Sequence, residues 1–115
     1  MSAVTNPAAE WRRRCEAISD RADRAKDSPG AILVLFAAYA ALPRSERPIV
    51  DAVLAEALES DDERDRFDAL ALVREYRIVS AAPSLERLAK QLKGAKSAGA
   101  PYELGKVKGI LAELR

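Results

Sequence analysis

Histidine is absent from this chain of 115 residues. That removes the side chain whose ordinary titration sits near neutral pH. His-based general acid–base work, Ser–His and Cys–His nucleophile pairs, and imidazole metal ligation go with it. Cysteine occurs once, at Cys15, so no internal disulfide framework can form. Aromatic residues make up only 5% of the chain, which leaves little for stacking on nucleic-acid bases. Long apolar runs are missing too. The longest, Ala31 to Leu42, is 12 residues and stops at Pro43, whereas a bilayer span needs about 20. The N-terminus has neither the basic region nor the apolar run of a secretory signal. The net charge is +1, unlike a chain that is cationic throughout. The expectation is a cytoplasmic protein with no membrane association, no cofactor, no metal and no catalytic residues.

What the chain does contain is helix vocabulary and a repeat. Alanine, leucine, arginine and glutamate dominate, and no stretch alternates apolar with polar over a strand's length. Leu33 to Tyr39 (LVLFAAY) and Leu70 to Tyr76 (LALVREY) are two versions of one apolar helix, 37 residues apart. An apolar helix opened by proline accompanies each, at Pro48-Ile-Val-Asp-Ala-Val-Leu and Pro83-Ser-Leu-Glu-Arg-Leu-Ala, with the prolines 35 apart. A period in the mid-thirties with two helices per unit is the mark of stacked helical hairpins.

Six helices follow from spacing and stop signals. Asn6-Pro7 opens the first, whose stripe is Trp11, Cys15, Ile18, Ala22 and Ala25. Ser28-Pro29 opens a second that runs to Leu42. A third begins near Pro48 with Val50, Val53, Leu54, Ala57 and Leu58 on one face. Ser60 and Glu63 have the spacing of a capping box for a fourth, running to about Val79. The fifth follows Pro83 and carries Leu85, Leu88, Ala89 and Leu92. Residues 93–100 are small, polar and glycine-containing, which predicts a mobile loop. The sixth starts near Pro101 with Leu104, Val107, Leu111 and Leu114, weakened by Gly105 and Gly109 at about 1 kcal/mol each relative to alanine.

The segment P-IVDAVLAEAL-ESDDER-DRFDALALV, residues 48–73, resembles a HEAT repeat. Proline opens the outer helix, acids fill the turn, and Arg64 or Arg66 precedes an alanine-rich inner helix. The resemblance covers residues 48–82 well and 83–115 less closely, and tetratricopeptide landmarks are missing. It implies an all-α fold, a right-handed stack of antiparallel helical hairpins at approximately 7–42, 48–79 and 83–115. The whole would be one domain over residues 1–115, with residues 1–5 disordered. It also implies a module that binds another protein as adaptor, regulatory subunit or immunity-type neutraliser of a partner.

Two features are candidates for contact with that partner. Helix two has no polar group between Ala31 and Leu42 except the Tyr39 hydroxyl. Either helix one covers it, or Leu35 and Tyr39 lie in an exposed groove that receives a partner or a second copy. In the second case Leu35→Lys leaves the fold intact and abolishes association. Charge is the other feature. Residues 48–69 carry eight acids and two bases, and residues 83–115 three acids and seven bases. Asp61, Asp65, Asp68 and Glu75 follow spacings that align them on one stripe, and Lys90, Lys93 and Lys96 lie close together. Helix-dipole complementation and a solvated face account for such a pattern, and so does electrostatic docking. The competing reading is a nucleic-acid-binding domain using those lysines with Lys106 and Lys108. The acidic middle opposes it, as does the spread of Arg12, Arg13 and Arg14 around most of a helical turn.

Overall fold

In a computed structural model of the chain, residues 6–26 and 28–115 are described. Among them every regular element is helical: α1 Pro7–Ala25, α2 Ser28–Ala40, α3 Arg47–Ala57, α4 Glu63–Tyr76, α5 Ala82–Gly94 and α6 Ala100–Leu114. A short 3-10 turn, Val79–Ala81, precedes α5. The expectation for residues 1–5 lies outside the described residues.

Helix starts follow local chemistry, with one correction. The Asn6 side chain accepts hydrogen bonds from the Ala8 and Ala9 amides at 3.1 and 3.2 Å, and Pro7 occupies the first helical position. The expected capping box at Ser60 and Glu63 does not form. Asp62 is the cap of α4, accepting from the Arg64 amide at 2.8 Å. A carboxylate next to the first turn outcompetes a hydroxyl two residues further back, because its charge also meets the helix dipole. Ser60 instead accepts from the Asp62 amide at 3.1 Å and donates to the Asp65 carboxylate at 3.3 Å.

Helix ends are set by the backbone. Lys26 and Arg77 both take left-handed conformations, with φ of 54° and 49°, and their amides return to carbonyls of the last helical turn. The Ile78 amide reaches the Val73 carbonyl at 3.0 Å, so α4 stops at Tyr76 rather than near Val79. Likewise α2 stops at Ala40, two residues short of Leu42. The expected loop at 93–100 narrows to 95–99, since Lys93 and Gly94 belong to α5 and Ala100 to α6.

The chain divides into two compact units inside α3, residues 1–53 and 54–115. In the first, α1 packs on α2. Trp11, Leu35, Tyr39, Val50 and Val53 are buried. Tyr39 is the hub. The edge of one ring meets the face of the other between Tyr39 and Trp11, at 6.3 Å and 84°. The Tyr39 hydroxyl donates to Asp51 at 2.7 Å, and the Arg47 guanidinium lies 5.6 Å from its ring centroid. Arg47 also donates to the Ala40 carbonyl at 3.2 Å, placing a cation at the C-terminal end of α2.

In the second unit α6 packs on both α5 and α4, and the 3-10 turn packs on α5. Leu58, Leu70, Leu85, Leu88 and Val107 are almost completely buried. The 3-4 spacing of the leucines of α5 and of Val107 and Leu111 on α6 produces these buried stripes.

Leu35 and Tyr39 therefore do not line an exposed groove: they are 2% and 4% exposed. Leu35→Lys is now expected to cost several kcal/mol, because an unpaired ammonium enters an apolar site. Trp11, the single tryptophan, reports on the first unit, so the variant should show red-shifted emission and an early unfolding transition. A variant with native emission and native stability would contradict this packing.

Candidate functional site

Ion pairing sorts the charges of the second unit into two classes. Arginines carry the contacts. Arg66 grips Glu103 with two parallel hydrogen bonds, Nε to Oε2 at 2.7 Å and Nη2 to Oε1 at 3.0 Å. Its third nitrogen donates to the Ser60 carbonyl at 3.0 Å. Both side chains are mostly covered, at 15% and 13% exposure, so the pair is less screened than a surface bridge. The hydrogen bonds to Glu103 hold the Arg66 guanidinium above its usual pKa, against the opposing effect of burial.

A second network joins Glu59 to α5. Arg87 donates to Glu59 at 2.7 and 3.1 Å, and the buried Ser84 hydroxyl donates to the same carboxylate at 3.2 Å. Hydrogen bonding from Arg87 lowers the pKa of Glu59, offset in part by desolvation. Weaker bridges join Arg74 to Glu113 at 3.5 Å and Arg115 to Glu86 at 3.3 Å. Every acid of residues 83–115, namely Glu86, Glu103 and Glu113, thus has an arginine partner. Lys90, Lys93, Lys96 and Lys108 are exposed, and none forms an ion pair among the described residues.

Lys106 is held differently. Its ammonium lies 4.4 Å from the Phe67 ring centroid and 5.9 Å from that of Tyr102. Those two rings are 48% and 77% exposed, which makes Tyr102 the most exposed large apolar side chain of the described residues. The Arg66–Glu103 pair explains why one ammonium reaches both rings: it draws the first turns of α4 and α6 together, and the next residue after Arg66 is Phe67. This aromatic patch was not read from the sequence. Phe67 and Tyr102 lie 35 residues apart, and neither sits on an apolar stripe, which was the signal available.

The acids expected to form one stripe divide. Asp61 precedes α4, because the helix begins only at Glu63. Asp61, Asp65 and Glu75 are exposed, while Asp68 is half-buried with no hydrogen bond among the described residues. Desolvation, with the charges of Asp65 and Asp62 adding to it and Arg64 opposing, pushes its pKa up to about 6. Cys15, on the apolar stripe of the first helix, is partly exposed on α1. In the first unit, Leu33, Val34 and Ile49 are the large apolar side chains left exposed.

No helix of the described residues is long and apolar enough to cross a membrane. Among those residues there is no group of three or more side chains suited to hold a metal. No protein-family model matches the chain, and neither does any curated protein or solved structure.

A raised carboxyl pKa means the folded state holds its proton more tightly than the unfolded state. Asp68 therefore contributes stability that is present below about pH 4 and is lost as pH rises through about 6. Asp68→Asn should stabilise the protein at pH 7 by about 1 kcal/mol, a figure reduced for the partial exposure of the group. It should have no such effect below about pH 4. Urea unfolding across this range checks it, and a gain that does not vary with pH would contradict the assignment.

Proposed function

We propose that this chain is a protein-binding module, a short array of HEAT-like hairpins that acts as an adaptor, a regulatory subunit or a neutraliser of a partner protein. The single observation that carries the reading is the Phe67–Tyr102–Lys106 patch. Exposed aromatic rings beside a cation are what well-packed protein interfaces bury at their centres. The flanking acids and lysines supply the polar rim and the steering charge of such an interface. Consecutive helices that pack on each other, α1 with α2 and α5 with α6, support the outer two hairpins of this reading, whereas the pairing of α3 with α4 expected at 48–79 has no such support. So does the repeat of Leu33–Tyr39 at Leu70–Tyr76.

Nothing in this reading calls for a catalytic group, a metal or a cofactor, and it places the protein in the cytoplasm. Nucleic acid is the second reading, favoured by one observation, the lysines without acidic partners. The exposed acids at the start of α4 oppose it, because a phosphate track along α6 would pass close to them.

The test is capture from native lysate with and without nuclease, comparing the wild type with Phe67→Ser/Tyr102→Ser. Both rings are exposed, so the variant should fold normally. A protein recovered equally under both treatments and lost with the variant is the expected result. Recovery abolished by nuclease would transfer the function to the lysines and overturn the proposal.

A further inference from the structure

We infer that the partner on this face is a second copy of the chain, joined across a two-fold axis at the Phe67–Tyr102–Lys106 patch. The inference rests on the binding reading above and names its occupant.

The argument begins with position. Chain continuity places the end of α5, the turn at 95–99 and the start of α6 at one end of the second unit. At about 1.5 Å of rise per residue, Lys90 lies about 6 Å before the end of α5 and Lys108 about 12 Å into α6. Lys93 and Lys96 fall between them in the chain. Three cations, Lys90, Lys93 and Lys96, therefore collect at this end, with no acidic partner among the described residues, and Lys108 lies further along α6.

The start of α4 is held at the same end. Arg66 is bonded to Glu103 in the first turn of α6, and Phe67 meets Lys106 one turn further on. That puts Asp61, Asp62, Glu63 and Asp65, all four exposed, at the same end of the unit as Lys93 and Lys96. Asp62 is spent on capping α4 and Asp65 accepts from Ser60, which accounts for the local role of those two. No salt bridge joins any of these acids to a lysine of the same unit among the described residues.

A face that carries an acidic strip, a basic strip and exposed rings has a particular symmetry. A two-fold contact uses the same patch on both subunits, so the acids of each copy meet the lysines of the other. The charges are opposite in sign, acids at the start of α4 against Lys90, Lys93 and Lys96. A purely acidic partner would instead leave the acids at the start of α4 facing like charge, and a polyanion such as nucleic acid would do so along its length. Only an occupant with both signs satisfies both strips, and the chain itself is one. The aromatic rings then meet near the axis, where they lose water.

Sedimentation equilibrium of the full purified chain tests this. At about 0.01 M ionic strength, where the screening length is about 30 Å, the mass should be that of a dimer. At about 1 M, where it is about 3 Å, the mass should fall toward that of the monomer. Lys93→Glu/Lys96→Glu and Asp61→Lys/Asp65→Lys should each weaken dimerisation about tenfold or more, since each homodimer then pairs like charges. Mixing the two variants should restore a dimer, because both contacts again pair opposite charges. Helix content by circular dichroism confirms that each variant is folded. A monomer at low ionic strength, or folded variants whose mixture stays monomeric, would overturn the inference. A monomer that still captures a different protein through Phe67 and Tyr102 overturns it too, while leaving the binding reading in place.

Discussion

The two-point grip of Arg66 on Glu103 is the contact on which the character of the second unit depends. A guanidinium and a carboxylate that are mostly covered gain more from each other than surface ions do, but only if their other hydrogen-bonding groups are satisfied. Here Arg66 uses all three nitrogens, two on Glu103 and one on the Ser60 carbonyl. The result is a fixed register between the first turns of α4 and α6. Phe67 and Lys106, far apart in the chain, become neighbours because of it. Loss of either partner would strand a poorly solvated charge, so the pair constrains the unit more than its net energy implies.

The first unit is organised around an aromatic side chain rather than an ion pair. Tyr39 buries its ring against Trp11 and under Arg47, and finds a partner for its hydroxyl in Asp51. This accounts for part of the apolar character of α2. Leu35 and Tyr39 are buried and the Tyr39 hydroxyl is satisfied internally, while Leu33, Val34, Ala37 and Ala40 stay exposed. Leu33 and Val34, on its exposed side, form an uncharged apolar surface.

Much of the fold was legible in the sequence because helices announce themselves locally. Asn6-Pro7 marks a start, the leucine spacing of α5 marks a buried face, and all six helices fall close to where those signals place them. The misses have equally physical origins. Ser60 lost the capping role because Asp62 stood nearer with a charge. Arg77 ended α4 by entering a left-handed conformation that glycine usually marks, so no sequence signal was present. Leu35 and Tyr39 could not be assigned to inside or outside, since an apolar helix looks the same either way. The lysines were found as a group, but their lack of acidic partners was not, because arginine and lysine count alike in a charge sum. Only geometry shows that arginines took the acids of residues 83–115 and left Lys90, Lys93, Lys96 and Lys108 without an ion pair among the described residues.

The central claim is that the first turns of α4 and α6, with the turn before α6, form one interaction face. Amide hydrogen exchange measured on dilute and concentrated protein at a single low ionic strength addresses it most directly. The account predicts added protection at concentration within residues 61–68 and 95–108, and none in α2. Protection that appears instead around Leu33 and Val34, or no change at either place, would contradict it.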